Sequence, residues 1–357
     1  MAAAIVAAVV PVPAGVVERY YSAGVYAWLQ PVLTGWSNRV GFALLDLLAA
    51  ASAILVLDLW TRRLRRRARD GRRGRAVVGA VASTVTLVAA GWLVFLGTWG
   101  LNYRREPVTA RVDFRADRVR PEAVEALAAT GVGELNRLHA SAHARPWPTG
   151  PALVARLAPA FERAQGGLGL ATRARPGRPK WTLFGPYFRW AAVAGMTDPF
   201  FLEVMLTPDA LPFEQPALLA HEWGHLAGYA VESDASFVGW LACVTGDDQL
   251  RYSAWLDLLP RALGGLPGDA RRRVAATLGE GPRRDYRAIE RRLARASPWV
   301  SGAAWRSYDR FLKAHRVAEG VASYDAVVRA VVGTRFEDGW RPVRPAPPEP
   351  AVRPPAD

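Results

Sequence analysis

Residues 218–237 read LLAHEWGHLAGYAVESDASF. Pro216 suits the first turn of a helix, which continues without a breaker until Gly228. On that helix His221 and His225 stand one turn apart on one face, with about 5–6 Å between their Cβ atoms. Two imidazoles at that spacing can meet one metal ion. Glu222 projects roughly 100° round from His221, so it flanks an ion without ligating it. There it can take a proton from water that the ion acidifies. A catalytic zinc takes three protein ligands, and HEWGH supplies two. The extended pattern HExxHxxGxxH would place a histidine at 231, where this chain has Val231. Its glycine is present as Gly228, which permits a left-handed residue and a sharp turn out of the helix. Glu232 is then placed to swing back from the next helix as third ligand. Asp234 and Ser236 follow closely enough to hydrogen-bond a ligating imidazole.

The flanks of this motif bear Glu214, Gln215 and Glu232, so it belongs to a water-facing domain and not to a membrane span. His139 and His143, in LHASAHA, form another pair four residues apart, with no glutamate between them. Nothing close in sequence offers a third ligand, and the expectation there is a surface helix. The single cysteine, Cys243, excludes an intrachain disulfide and a cysteine-rich zinc site. Its apolar surroundings, FVGWLACV, read as a buried inert thiol.

The chain has 357 residues, 51% of them hydrophobic, yet a net charge of +14. Nine arginines between 62 and 75 carry much of that charge. A basic run attracts phosphate. This one lies between two long apolar segments, residues 40–60 and 76–99, where basic residues mark a cytoplasmic loop. Nucleic acid is therefore not an expected partner; a lipid bilayer is. Each segment can cross about 30 Å of hydrocarbon at about 1.5 Å per residue. Residues 76–99 carry no charge, and residues 40–60 carry only Asp46 and Asp58. Asp46 reads as lying near the hydrated end of its helix. The apolar start, residues 3–17, contains Pro11 and Pro13 and lacks the basic opening of a signal peptide. With the arginine loop (61–75) inside, an N-terminus in the cytoplasm needs one more crossing, and residues 3–17 are its candidate.

The expected organisation is a membrane region over 1–104, a domain over 105–340 and a disordered proline-rich tail over 341–357. The fold class is mainly α (α+β), with transmembrane helices followed by a mostly helical domain and a short sheet. Helices are expected at 121–145 and 151–165, irregular structure at 166–199, and a strand at 199–209.

Several stretches resemble bacterial membrane proteins grouped as domain-of-unknown-function family 3810. These are VERYYSAGVYAWL (17–29), WGLNY (99–103), HEWGHLAGYAVESDASFVGWLA (221–242), RYSAWL (251–256) and VASYDAVV (321–328). The first two and the histidine block are the specific pieces. The resemblance implies a zincin-like metallopeptidase of the glutamate-ligand type, anchored by several passes in the inner membrane. It implies one Zn2+ per chain on His221, His225 and Glu232, with Glu222 as catalytic base. Ser236 stands where the family more often has asparagine, a longer hydrogen-bonding group.

The expected function is hydrolysis of a peptide or protein substrate on the extracytoplasmic side. The 199–209 strand is the candidate for pairing with a substrate backbone, and Tyr252 the candidate donor to the developing anion. The alternative is a non-catalytic membrane protein with a structural or binding zinc site, which has no need of Glu222. A third, a basic scaffold for anionic lipid or nucleic acid, rests on the arginine loop alone.

Overall fold

In the computed structural model, which describes residues 10–68, 73–170, 172–314 and 326–346, the chain is mainly helical with a few short strands. Helix α1 runs through Ala14–Val16, a π-wound stretch Val17–Val25, and Tyr26–Ser37. Two long helices follow, α2 (Leu44–Ala68) and α3 (Arg73–Thr98), packed on each other. They contain the spans Leu44–Arg65 and Gly74–Thr98, each long and apolar enough to cross a bilayer and each only 6% buried inside the protein. Apolar helices that their own fold leaves bare are satisfied by hydrocarbon.

Within the expected membrane region over 1–104, helix α1 packs on the rest of the protein. Glu18, Ser22, Tyr26, Gln30 and Thr34 recur every four residues and are all buried. That stripe docks on the domain: Tyr26 Oη donates to Leu226 O (3.0 Å), Thr34 Oγ1 to Leu202 O (2.8 Å) and Gln30 Nε2 to Arg175 O (2.9 Å). Tyr20, Trp28 and Trp36 face outward on the other side. Of the expected crossing at 3–17, residues 1–9 lie outside the described residues, and residues 14–17 open α1.

Helices α4 (Pro121–His143) and α5 (Gly150–Gly167) form where the sequence places them. The stretch expected to be irregular carries β1 (Pro179–Lys180), α6 (Gly185–Ala191) and β2 (Gly195–Asp198). Strand β3 is Glu203–Leu206, and the sheet order is β1-β3-β2, with β1 parallel and β2 antiparallel to β3. The strand expected at 199–209 is thus the central one, its backbone paired on both sides. The edge belongs to β2. The rest is α7 (Gln215–Leu226), α8 (Glu232–Val244), α9 (Asp248–Gly264), α10 (Gly268–Ala276), α11 (Glu280–Leu293), α12 (Pro298–Ala314) and α13 (Ala326–Gly333). Strands β4 (Phe336–Glu337) and β5 (Arg341–Pro342) then pair as a ribbon. The expected tail therefore begins in ordered structure, and residues 347–357 lie outside the described residues.

Every residue of α8 is buried. A helix can occupy a core like this because its sequence is apolar on all sides, apart from Glu232, Ser233, Asp234 and Ser236 near its start. It crosses α7 with almost no side chain between them. A Cβ on Gly224 would come within 2.5 Å of Ala235 O, and one on Gly239 within 2.6 Å of His221 N.

The first of the two long apolar helices is fastened to the sheet. Ala43 N donates to Trp181 O (2.8 Å), which extends the sheet beyond β1 toward α2. Glu203, buried on β3, accepts from Lys180 Nζ (2.6 Å) and from Leu45 N (2.9 Å). The latter is a first-turn amide of α2 that no helix bond satisfies. Asp46 accepts from Thr182 Oγ1 and Leu183 N, both at 2.8 Å, so its carboxylate faces the domain at the start of the span.

Gly239→Ala should lower stability by about 1–3 kcal/mol or more, because backbone atoms cannot yield to the added methyl. Gly133→Ala, on α4 with open space around it, should be neutral or stabilising by about 0.5–1 kcal/mol. Urea unfolding of the two variants beside the parent chain reads both; equal midpoints for all three proteins would refute the close crossing.

Candidate metal centre

Helix α7 has Pro216 in its first turn and ends at Gly228, whose φ is +85°. That angle suits glycine, and the position is also walled in: a Cβ there would meet Arg105 Nη1 at 2.9 Å and Tyr26 at 3.1 Å. The chain turns and starts α8 at Glu232. This brings Glu232 Oε2 to 3.2 Å from His221 Nε2 and 3.5 Å from His225 Nε2. The three ligand atoms lie within 4.8 Å of one another.

The other nitrogens fix what these atoms offer. His225 Nδ1 is 2.8 Å from Tyr229 O, an acceptor only, so Nδ1 carries the proton. In the neutral ring the Nε2 lone pair then points at the carboxylate. His221 Nδ1 is 3.1 Å from Ser236 Oγ. Serine, although shorter than asparagine, reaches the ring. Glu232 Oε1 accepts from the Tyr308 hydroxyl. The buried Oε2 lies within ion-pair distance of both imidazole nitrogens, so three donor atoms converge where one cation could sit. Two imidazoles and one carboxylate make a donor set that fits a divalent first-row metal.

The electrostatics agree. Burial works against a charged His225, yet the Glu232 carboxylate outweighs it and lifts the imidazole pKa to about 9. Burial likewise opposes a charged Glu232, and the two histidines more than reverse that, holding it well below the ordinary carboxylate range. The pocket stabilises positive charge beside Glu232. For Glu222 burial wins, and its carboxyl is pushed up.

Glu222 is held on the opposite side by β2. Thr197 Oγ1 donates to Glu222 Oε2 (2.8 Å), and a Cβ on Gly195 would press Glu222 Oε1 at 2.7 Å. His221, Glu222, His225 and Glu232 open into one cavity of about 530 Å³. Its walls are mostly apolar and include Phe95 and Trp99 from the end of the second membrane helix, Tyr187 and Val193, and Trp305 and Phe311 from α12.

The carbonyls at the end of α7, of which His225 O also accepts from Gly228 N (2.8 Å), are capped by side chains from far away in sequence. Trp99 Nε1 donates to His225 O (3.3 Å), Tyr26 Oη to Leu226 O (3.0 Å) and Arg105 Nη1 to Ala227 O (3.1 Å). Arg105 also stacks over the Tyr229 ring at 4.2 Å and pairs with buried Glu18 at 2.9 Å. The stretches 17–29 and 99–103 thus supply the groups that hold the bend.

Other expectations change. Asp234 does not reach an imidazole; its Oδ2 accepts from Val108 N at 3.1 Å. Tyr252 is absent from the cavity wall and donates instead to Asp285 Oδ2 at 2.5 Å. His139 and His143 do have a carboxylate partner, the same Asp285, more than 140 residues downstream. Cys243 is fully buried, as its neighbours indicate. Tyr308, Thr197 and Asp285 carry no local signal in the sequence, since each acts across a long loop of chain.

Arg105→Met should cost about 3 kcal/mol, the low end for breaking a buried pair, because Arg111 still contacts Glu18. Thermal melts check this. A loss under 0.5 kcal/mol, the usual range for surface substitutions, would show that the bend holds itself.

No curated protein and no solved structure matches this sequence. The family described as Protein of unknown function (DUF3810) matches residues 21–332, which contain the caps, the bend and the histidine helix, and the chain belongs to that family.

Proposed function

We propose that this protein is a membrane-anchored zinc metallopeptidase with a zincin-like domain. One observation carries the reading: the buried Glu232 Oε2 faces the Nε2 atoms of His221 and His225 at 3.2 and 3.5 Å. These three residues would hold the ion. Zinc, when bound there, supplies a Lewis acid that polarises a peptide carbonyl and acidifies water. Glu222 is the general base: it takes the proton of the attacking water and returns it to the leaving amine nitrogen. Burial raises its pKa above the ordinary carboxylate value, which makes it a stronger base than an exposed glutamate. Thr197 keeps one of its oxygens in place. Tyr308, with its hydroxyl on Glu232 Oε1, leaves only Oε2 to face the histidines.

Substrate recognition follows from the cavity. The edge strand β2 lines it, so an extended peptide can pair with Gly195–Thr197 beside Glu222. The aromatic wall suits an apolar side chain. Phe95 belongs to a helix that we read as crossing the bilayer, which places the cavity close to the membrane surface. Arg62, Arg63, Arg65, Arg66 and Arg67 close α2, and Arg73 and Arg75 open α3, at the ends of these helices remote from Asp46 and Thr98. The positive-inside rule assigns that end to the cytoplasm and the domain to the extracytoplasmic side.

The full-length protein in detergent, assayed on a quenched-fluorescence peptide library, tests the mechanism. Glu222→Gln should cut hydrolysis by about 10²–10⁴-fold while keeping bound zinc. Glu232→Ala should lose the zinc held by this cluster. That variant should lose turnover without unfolding, whereas a purely structural ion at this cluster would take the fold with it. Undiminished hydrolysis by the Glu222→Gln variant would reject the mechanism.

A further inference from the structure

The chain contains five histidines, and four of them fall into two clusters of the same make-up: two imidazoles four residues apart on a helix, met by one carboxylate. The second cluster is His139 and His143 on α4 with Asp285 on α11. Asp285 is only 8% exposed. Both rings turn Nε2 toward the same oxygen, Asp285 Oδ2, at 2.9 Å from His143 and 3.8 Å from His139. The rings stack with centroids 4.5 Å apart.

Hydrogen bonding accounts for part of this arrangement. Asp285 Oδ2 accepts from Tyr252 Oη at 2.5 Å and lies within bonding distance of His143, but His139 at 3.8 Å is too far. One oxygen with two close partners leaves the second imidazole converging on it without a bond. A single cation would engage both rings. Ligands around a tetrahedral zinc, with bonds of about 2.0–2.1 Å, stand about 3.3 Å apart. The observed separations bracket that spacing.

The surroundings are shaped for these side chains. Gly281 lies in the first turn of α11, where a helix disfavours glycine by about 1 kcal/mol relative to alanine. A Cβ there would come within 2.5 Å of His139 Nδ1, so the missing side chain makes room for the ring. Tyr252, buried on α9, orients the carboxylate as an outer partner orients a ligand. Trp147 and Phe213 pack against His143 at 5.5 and 5.9 Å between centroids.

We propose that His139, His143 and Asp285 form a second metal site, which takes a divalent first-row cation such as zinc and pins α4 to α11. No glutamate flanks the pair as Glu222 flanks the first, so this ion is structural. The inference stands apart from the peptidase reading and survives its failure.

The test uses full-length protein in detergent, stripped with chelator and titrated with Co2+, whose visible absorption reports imidazole and carboxylate ligation. With the first cluster silenced by His221→Ala and His225→Ala, one equivalent per chain should still bind. Adding Asp285→Asn or His143→Gln should abolish that binding, and Tyr252→Phe should weaken it by about tenfold. A silenced chain with a native circular dichroism spectrum and no bound cobalt overturns the proposal. If the silenced chain does not fold, the parent protein decides. A loss of one equivalent in the His143→Gln variant, from whatever number the parent binds, supports the site; a variant that binds as many equivalents as the parent overturns it.

Discussion

Two helices that touch backbone to backbone set the geometry of the candidate centre. At Gly224 and Gly239 the separation leaves no room for a methyl group on either side. Such an approach fixes the helices in distance and rotation more tightly than large side chains would, because backbone atoms cannot change rotamer. Glu232 lies two turns before Gly239, and His221 and His225 flank Gly224. The crossing therefore decides where the carboxylate meets the imidazoles. The bend at Gly228 makes the crossing possible by reversing the chain within a few residues.

A bend this tight exposes the carbonyl end of a helix inside the protein. Besides the Gly228 amide on His225 O, these groups are met by Tyr26, Trp99 and Arg105, none of them on the helices concerned. Arg105 would itself be an unpaired buried charge without Glu18. The demand for partners thus passes outward from α7 to α1 and to the segment after α3. Both are next to the two long apolar helices. The sheet makes a second connection, since Glu203 and the Thr182–Leu183 segment hold the start of α2, and β2, at the other edge, holds Glu222. Anchor and centre are coupled by hydrogen bonds that are mostly buried, where each lost partner costs more than at the surface.

This explains what the sequence revealed and what it hid. HEWGH, Gly228 and Glu232 were legible because helix period and turn chemistry are local rules, and the three converging side chains lie within twelve residues. The two long apolar helices were legible because uninterrupted apolar length is itself a local pattern. Helix α1 was not legible, because its inward stripe is polar and its outward face aromatic, the reverse of an ordinary surface helix. The strand at 203–206 was placed correctly, but apolar content does not distinguish a central strand from an edge. Tyr308 and Asp285 reach their partners across 76 and 142 residues. No periodicity spans such a gap. The pair His139 and His143 was visible, and only its carboxylate was missing.

The proximity of the centre to the span limits what the proposed enzyme can cut. Trp99 follows the last residue of the second span, and its ring centroid is 6.0 Å from that of His225. If Thr98 marks the edge of the hydrocarbon, the centre sits at the level of the lipid headgroups. A peptide paired with β2 must be extended, since a strand edge offers hydrogen bonds only to backbone groups that are themselves free. An intact transmembrane helix has none to spare, because every amide in hydrocarbon is bonded within the helix. Substrates would then be segments that leave the bilayer and unwind at its surface, or extended termini that approach along it. The aromatic wall beside Glu222 selects further, since burying an apolar side chain there repays the ordering of an otherwise loose segment. On this reading the membrane helices do more than hold the enzyme in place: they set the depth at which a chain must lose its helical structure to become a substrate.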